Sequence, residues 1–143
     1  MKRRIMSLLT ATVLAMSLVA CSGKSADNNL KPETKEPTDL SGTWKSEEND
    51  GAWIEATISE DIIEINWISD GGDTRSVYWI GTYEAPTEYV EEYSWLSERD
   101  KEKTDRALLA STDDTKEFTY ENETINYEAS MMGTTTVVHL VKE

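Results

Sequence analysis

Few residues in this chain are equipped to make or break a bond. The single thiol, Cys21, is its only soft nucleophile, and the single imidazole, His139, lies near the far end of the chain. Nucleophilic catalysis needs a nucleophile and a base within hydrogen-bond reach, usually with a histidine. His139 falls in Thr135–Val141, a run whose composition predicts a strand, so it reads as an ordinary strand residue. Zinc requires clustered His and Cys ligands, which one of each cannot supply. Asp70 to Asp73 and Asp113-Asp114 are rich in oxygen but lack the spacing of a calcium loop, and read as turns. With 28 Asp and Glu, no carboxylate pair stands out as a glycosidase acid and base. No Gly-rich phosphate cradle and no basic stripe for nucleic acid is present. The expectation is a protein that is not an enzyme and holds no metal or cofactor.

The remaining distinctive chemistry is aromatic. Five tryptophans, at positions 44, 53, 67, 79 and 95, recur along the middle of the chain. Packing of a small core is one use for them. The other is a cavity open at one end, with Trp67, Trp79, Trp95 and Tyr127 lining a site for a small apolar ligand.

The surroundings of Cys21 give it a role. Lys2, Arg3 and Arg4 precede an uncharged run from Ile5 to Ala20, shorter than the ~20 apolar residues that span a bilayer, which is the pattern of a signal peptide. The run ends in Leu18-Val19-Ala20-Cys21, which resembles the lipobox of bacterial lipoproteins. That resemblance implies cleavage before Cys21 and addition of a diacylglyceryl thioether to its sulfur, with acyl chains such as palmitate. The protein would then be anchored by lipid at the extracytoplasmic face of a cell membrane. Two acyl chains hold firmly where one binds marginally, since each buried CH₂ adds ~0.8 kcal/mol. Lipidation also uses up the only cysteine, leaving no disulfide to stabilise an exported domain.

Removing residues 1–20 leaves 11 Lys and Arg against 28 Asp and Glu, a net charge of −17. Such a charge opposes nucleic acid and anionic headgroups and favours a basic partner. Residues 21–39 carry two prolines, no aromatic residue and little that is apolar, and read as a lipidated cysteine followed by a flexible tether. Every Trp, Tyr and Phe lies between Trp44 and Tyr127, so residues 40–143 are expected to form one domain.

The elements that must position these side chains are strands. Trp53–Ile58 alternates, turns at Ser59-Glu60-Asp61 and continues as Ile62–Ile68; Asp70-Gly71-Gly72-Asp73 then leads into Ser76–Tyr83, which Pro86 ends. Tyr93–Leu96, Ala107–Ser111, Phe118–Tyr120, Ile125–Ala129 and Thr135–Val141 complete the set. The charged stretch Glu98–Asp105 reads as a polar loop, with Ser97 or Asp100 able to cap a helical turn. The fold expected is all-β: an up-and-down meander of 8–9 antiparallel strands, closed into a barrel so that no edge is exposed.

Gly42-Thr43-Trp44, at the first strand and just past the tether, is similar to the opening of a lipocalin-like (calycin) barrel. The resemblance spans residues 40–143. It implies that Trp44 closes one end of the barrel beneath a basic side chain of the last strand, a position Lys142 holds here. Small lipid-anchored proteins of Gram-positive bacteria use this fold. Two functions are then expected. One is a lipid-anchored surface protein that holds a small hydrophobic ligand. The other is an acidic interaction or inhibitor protein whose partner is basic, for instance a cell-wall hydrolase or a phage-injection component.

Overall fold

The computed structural model describes residues 33–143. The signal sequence, Cys21 and the tether as far as Pro32 lie outside the described residues.

Eight strands form one antiparallel sheet: β1 (Gly42–Lys45), β2 (Trp53–Ser59), β3 (Ile62–Ser69), β4 (Thr74–Thr82), β5 (Glu92–Glu98), β6 (Thr115–Glu121), β7 (Thr124–Met131) and β8 (Thr134–Lys142). Their order is β4-β3-β2-β1-β8-β7-β6-β5, a meander in which the first and last strands pair in the middle. β1 and β8 meet at Trp44↔Lys142 and Lys45↔Val141. The two edge strands β4 and β5 are consecutive in the chain and come together through the bridge Gly81↔Arg99. The sheet is therefore nearly closed into a barrel. Among the described residues, no helix is long and apolar enough to cross a membrane.

The tight turns fall where residues tolerant of positive φ occur. Glu60 (φ 57°) joins β2 to β3, Asn122 and Glu123 (52° and 62°) join β6 to β7, and Met132 and Gly133 (52° and 81°) join β7 to β8. A bulge near Ile65/Asn66 shifts the β3–β4 register, and beside it Tyr78 and Trp79 are both buried in the core although consecutive.

One expectation needs correction. Ala107–Ser111 is not a strand. β5 pairs with β6 along its whole length, so no place remains between them for another. The segment instead forms turns outside the sheet, held by Ala107 N donating to Thr104 O and Ser111 N donating to Tyr78 O, and Leu108 is left 99% exposed. The polar loop before it contains a short helix, α1 (Lys101–Thr104), capped by the Asp100 carboxylate accepting from Lys103 N. The compact unit of the described residues takes in Lys35 to Glu143. Thr38 secures this lead-in: its Oγ1 donates to Val90 O and accepts from Val90 N, both at 2.8 Å.

Alternate strand residues converge on one core of Leu40, Trp44, Ala56, Ile58, Ile63, Ile65, Tyr78, Trp79, Tyr83, Trp95, Phe118, Ile125, Tyr127, Ala129, Val138 and Leu140. Because the strands alternate in direction, the barrel has two ends. The chain enters and leaves at the proximal end, shared with the β2–β3, β4–β5 and β6–β7 connections. The β1–β2, β3–β4, β5–β6 and β7–β8 connections make the distal end.

Candidate functional site

Trp44 sits at the proximal end, 2% exposed, its indole Nε1 donating to Leu40 O at 2.9 Å. Lys142, its neighbour across the β1–β8 pair, places Nζ 5.7 Å from the ring centroid and donates to Asp39 O at 3.1 Å. Tyr120 packs edge-on against the same ring at 6.2 Å. Indole, lysine stem and Leu40 together plug this end.

Trp67, Trp79, Trp95 and Tyr127 all converge inside the barrel, but three of them leave no room there. Trp79, Trp95 and Tyr127 are 0%, 5% and 3% exposed. A cross-strand row runs Trp95↔Phe118↔Tyr127↔Val138, with Phe118 5.2 Å from both the Trp95 and Tyr127 rings. Trp67 is half-buried and packs edge-on against Tyr78, which in turn lies 6.1 Å from Tyr127. Rings of this size in contact fill the centre of an eight-stranded barrel. The four residues form a packed aromatic interior.

That interior is short of acceptors. The hydroxyls of Tyr78 and Tyr127 and the Nε1 groups of Trp67 and Trp95 are buried without a hydrogen-bond partner. Trp79 alone among these is paired, its Nε1 donating to Ser97 Oγ at 3.0 Å. Burial holds the Tyr127 phenol well above its usual pKa, with Tyr78 adding a smaller push. Tyr83 is pushed up to about 12, first by burial and then by Tyr93 and Asp39.

The distal end is plugged by a residue that sequence reasoning passed over. Lys116 is only 7% exposed. Its Nζ stands 5.4 and 5.3 Å from the Tyr78 and Trp79 ring centroids, pairs with Asp113 Oδ2 at 3.0 Å and donates to Glu128 O at 3.1 Å. The hydrogen bond from Lys116 to Asp113 Oδ2, with a second from Ser111, holds the Asp113 carboxyl below its ordinary pKa. The signal was present in strand parity: Lys116 lies two residues from Phe118, and residues i and i+2 share a face.

Beside Lys116 the barrel wall splits. β6 pairs with β5 from Glu92↔Glu121 to Glu98↔Thr115, and β7 pairs with β8 from Thr124↔Val141 to Met131↔Thr134. Between β6 and β7 the ladder runs only from Glu121↔Thr124 to Phe118↔Tyr127. Beyond that rung Thr115–Glu117 and Glu128–Ser130 are unpaired, and a slot of about 470 Å³ lies over this part of the wall, reaching back to the Thr119↔Asn126 rung and across to Val137 of β8. The next rung would set Glu117 opposite Glu128, and like charges directly opposed destabilise a pair.

Among the described residues the ion pairs gather toward the distal end, although Glu47, Asp50, Asp70, Asp73 and Glu102 of its connections take part in none. Five ion pairs gather around the distal connections: Lys45–Glu48, Arg99–Asp105, Lys101–Asp114, Lys103–Asp100 and Lys116–Asp113. The sixth, Arg75–Glu55, lies on the wall where β4 and β2 flank β3. At the proximal end Glu60, Asp61, Glu84, Glu88, Glu91, Glu92, Glu121 and Glu123 take part in none of the six. A groove of about 460 Å³ lies among them, lined by Thr38, Tyr89, Val90, Glu91, Glu92, Tyr120, Asn122 and Glu123. The chain's own Lys35 already stacks on Tyr89, Nζ 4.0 Å from the ring centroid.

His139 is exposed on β8 and hydrogen-bonds through Nδ1 to Asn126 Oδ1. Among the described residues, no group of three or more His, Cys, Asp or Glu side chains is placed to hold a metal ion.

Fold and site together define an eight-stranded antiparallel β-barrel with an aromatic-filled interior, a lysine at each end and an acidic proximal surface. No family profile, curated protein or solved structure matches the chain.

Proposed function

We propose that this protein is a membrane-tethered interaction module: a lipid on Cys21 holds it at the extracytoplasmic face, and its acidic proximal end captures a basic segment of a partner protein. The gathering of ion pairs at the distal end, which leaves eight proximal carboxylates outside the six pairs of the described residues, carries this reading. Carboxylates outside ion pairs project field into solvent, which steers a cationic partner and fixes its orientation. The proximal groove adds aromatic faces, and the stacking of Lys35 on Tyr89 illustrates the contact it would make with a partner's lysine. The packed interior supports a scaffold over a carrier of small hydrophobic ligands, because such a ligand would first have to displace three side chains that are 0–5% exposed.

The test is binding of an oligolysine peptide to the chain from Cys21 onward, read by fluorescence anisotropy at low and high salt. Binding should weaken at least tenfold between 50 and 200 mM salt, which span Debye lengths from about 14 to 7 Å. It should weaken again in E91Q/E92Q/E123Q but not in the distal control E47Q/E48Q. Salt-independent binding, or equal losses in the two variants, would refute the reading.

A further inference from the structure

We infer that the slot between β6 and β7 is a strand-acceptor site, taking an extended segment of another protein that bonds through its backbone to Thr115–Glu117 on one side and Glu128–Ser130 on the other. Beyond Phe118↔Tyr127 the facing sides of β6 and β7 are unpaired, while each strand keeps its other neighbour, β5 and β8. Unpaired strand edges are templates for another chain, and peptide recognition by strand addition draws its affinity from main-chain hydrogen bonds. The volume of the slot falls in the range of ligand pockets, roughly 300 to 1,000 Å³.

Its floor supplies donors. Lys116, itself more than nine-tenths buried, already donates to one main-chain carbonyl, Glu128 O, so it is placed to serve the carbonyls of an incoming strand. Its rim carries Asp113, Glu117 and Glu128, which would repel a free anion. An extended peptide fits this setting, offering its backbone to the two edges and, on the alternate residues that face outward, basic side chains to the rim. The opposition of Glu117 and Glu128 keeps the site available, because it penalises the rung that would zip β6 onto β7. This site is separate from the proximal groove and does not depend on it.

The experiment titrates the chain from Cys21 onward with the peptide Thr-Lys-Thr-Lys-Thr-Lys-Thr-Lys and with the same sequence N-methylated on alternate backbone nitrogens. Both probes carry the same charge, so the difference between them reports main-chain bonding alone. The plain peptide should shift the amide resonances of Thr115–Glu117 and Glu128–Ser130, and the methylated one should bind those residues at least tenfold more weakly. In E117T/E128T, which replaces the repelling pair by one that favours a ladder, the same amides should gain exchange protection and stop responding to peptide. Equal binding of the two peptides, shifts confined to the proximal groove, or no shift at all would overturn the proposal. Dimerisation of the chain through these residues without peptide would also overturn it, by assigning the slot to a second copy.

Discussion

Replacing Gly81 by alanine should open the seam of the barrel. Gly81 lies where β4 meets β5, and a Cβ there would stand 2.6 Å from both Glu98 O and Trp79 Nε1, with Ser97 Oγ also in contact. Its φ lies outside the left-handed region, so the glycine is required for space and not for conformation. A Gly→Ala change inside an unobstructed strand should stabilise by about 0.5–1 kcal/mol. Here the carbonyl belongs to backbone, and Trp79 is fully buried. Overpacking of this kind costs about 1–3 kcal/mol. If the indole yields, it loses Ser97 and leaves a buried donor unsatisfied, adding about 1–3 kcal/mol. A net loss of about 2–4 kcal/mol follows, a large part of the ~5–15 kcal/mol that holds a domain of this kind together. Urea unfolding followed by tryptophan fluorescence measures it directly, and at an m-value of about 2 kcal/mol/M the midpoint should fall by about 1–2 M. Gly71→Ala is the control, because that position has φ +66° and nothing within 4 Å, so it tests backbone strain without a clash. In G81A/S97A the combined loss should be smaller than the sum of the single losses, since both act on the Trp79–Ser97 pair. A midpoint for G81A within 0.2 M of the parent, about 0.4 kcal/mol at that m-value, would refute the account of the seam.

Three further outcomes are expected. Tyr127→Phe keeps the ring and removes a buried hydroxyl with no partner, so stability should hold or rise by up to about 1 kcal/mol; a loss above 1 kcal/mol in urea unfolding would mean that the hydroxyl is bonded. Tyr83 and Tyr127 have folded-state pKa values above their unfolded ones, so their contribution is complete below about pH 10, the unfolded phenol value, and is lost as pH rises through the folded values, about 12 for Tyr83. Absorbance at 295 nm should therefore show exposed tyrosines ionising near pH 10 and a later step that coincides with unfolding; a single step near pH 10 in folded protein would contradict the burial. Asp113 has the opposite sign. Its folded pKa is depressed by Lys116 and Ser111, so its contribution is present above the unfolded value of about 3.9 and is lost as pH falls through the folded one, and Asp113→Asn should flatten the acid limb of a thermal-melt series between pH 5 and 2.

Much of this protein was legible in the sequence because it rests on local chemistry. The alternation of Trp53–Ile58 and Ile62–Ile68 and the positive-φ residues at Glu60, Asn122 and Gly133 follow from side-chain period and turn sterics, whereas the placing of Trp44 opposite Lys142 was expected only from the resemblance at Gly42-Thr43-Trp44. Net charge needs no folding at all. Ala107–Ser111 misled because a short run with leucines reads as a strand, whereas only the completed β5–β6 ladder shows that no neighbour is left for it. The use made of the tryptophans was out of reach for a related reason. Parity assigns Trp79, Trp95 and Tyr127 to the inner face but says nothing of the distance to the opposite wall, and that distance separates a cavity from a packed core. The tertiary structure alone decided where charges pair, that Lys116 closes the distal end, and that β6 and β7 part after Phe118↔Tyr127. Each of these depends on groups far apart in sequence, brought together by closing the sheet, and their energies exist only once that closure has fixed the geometry.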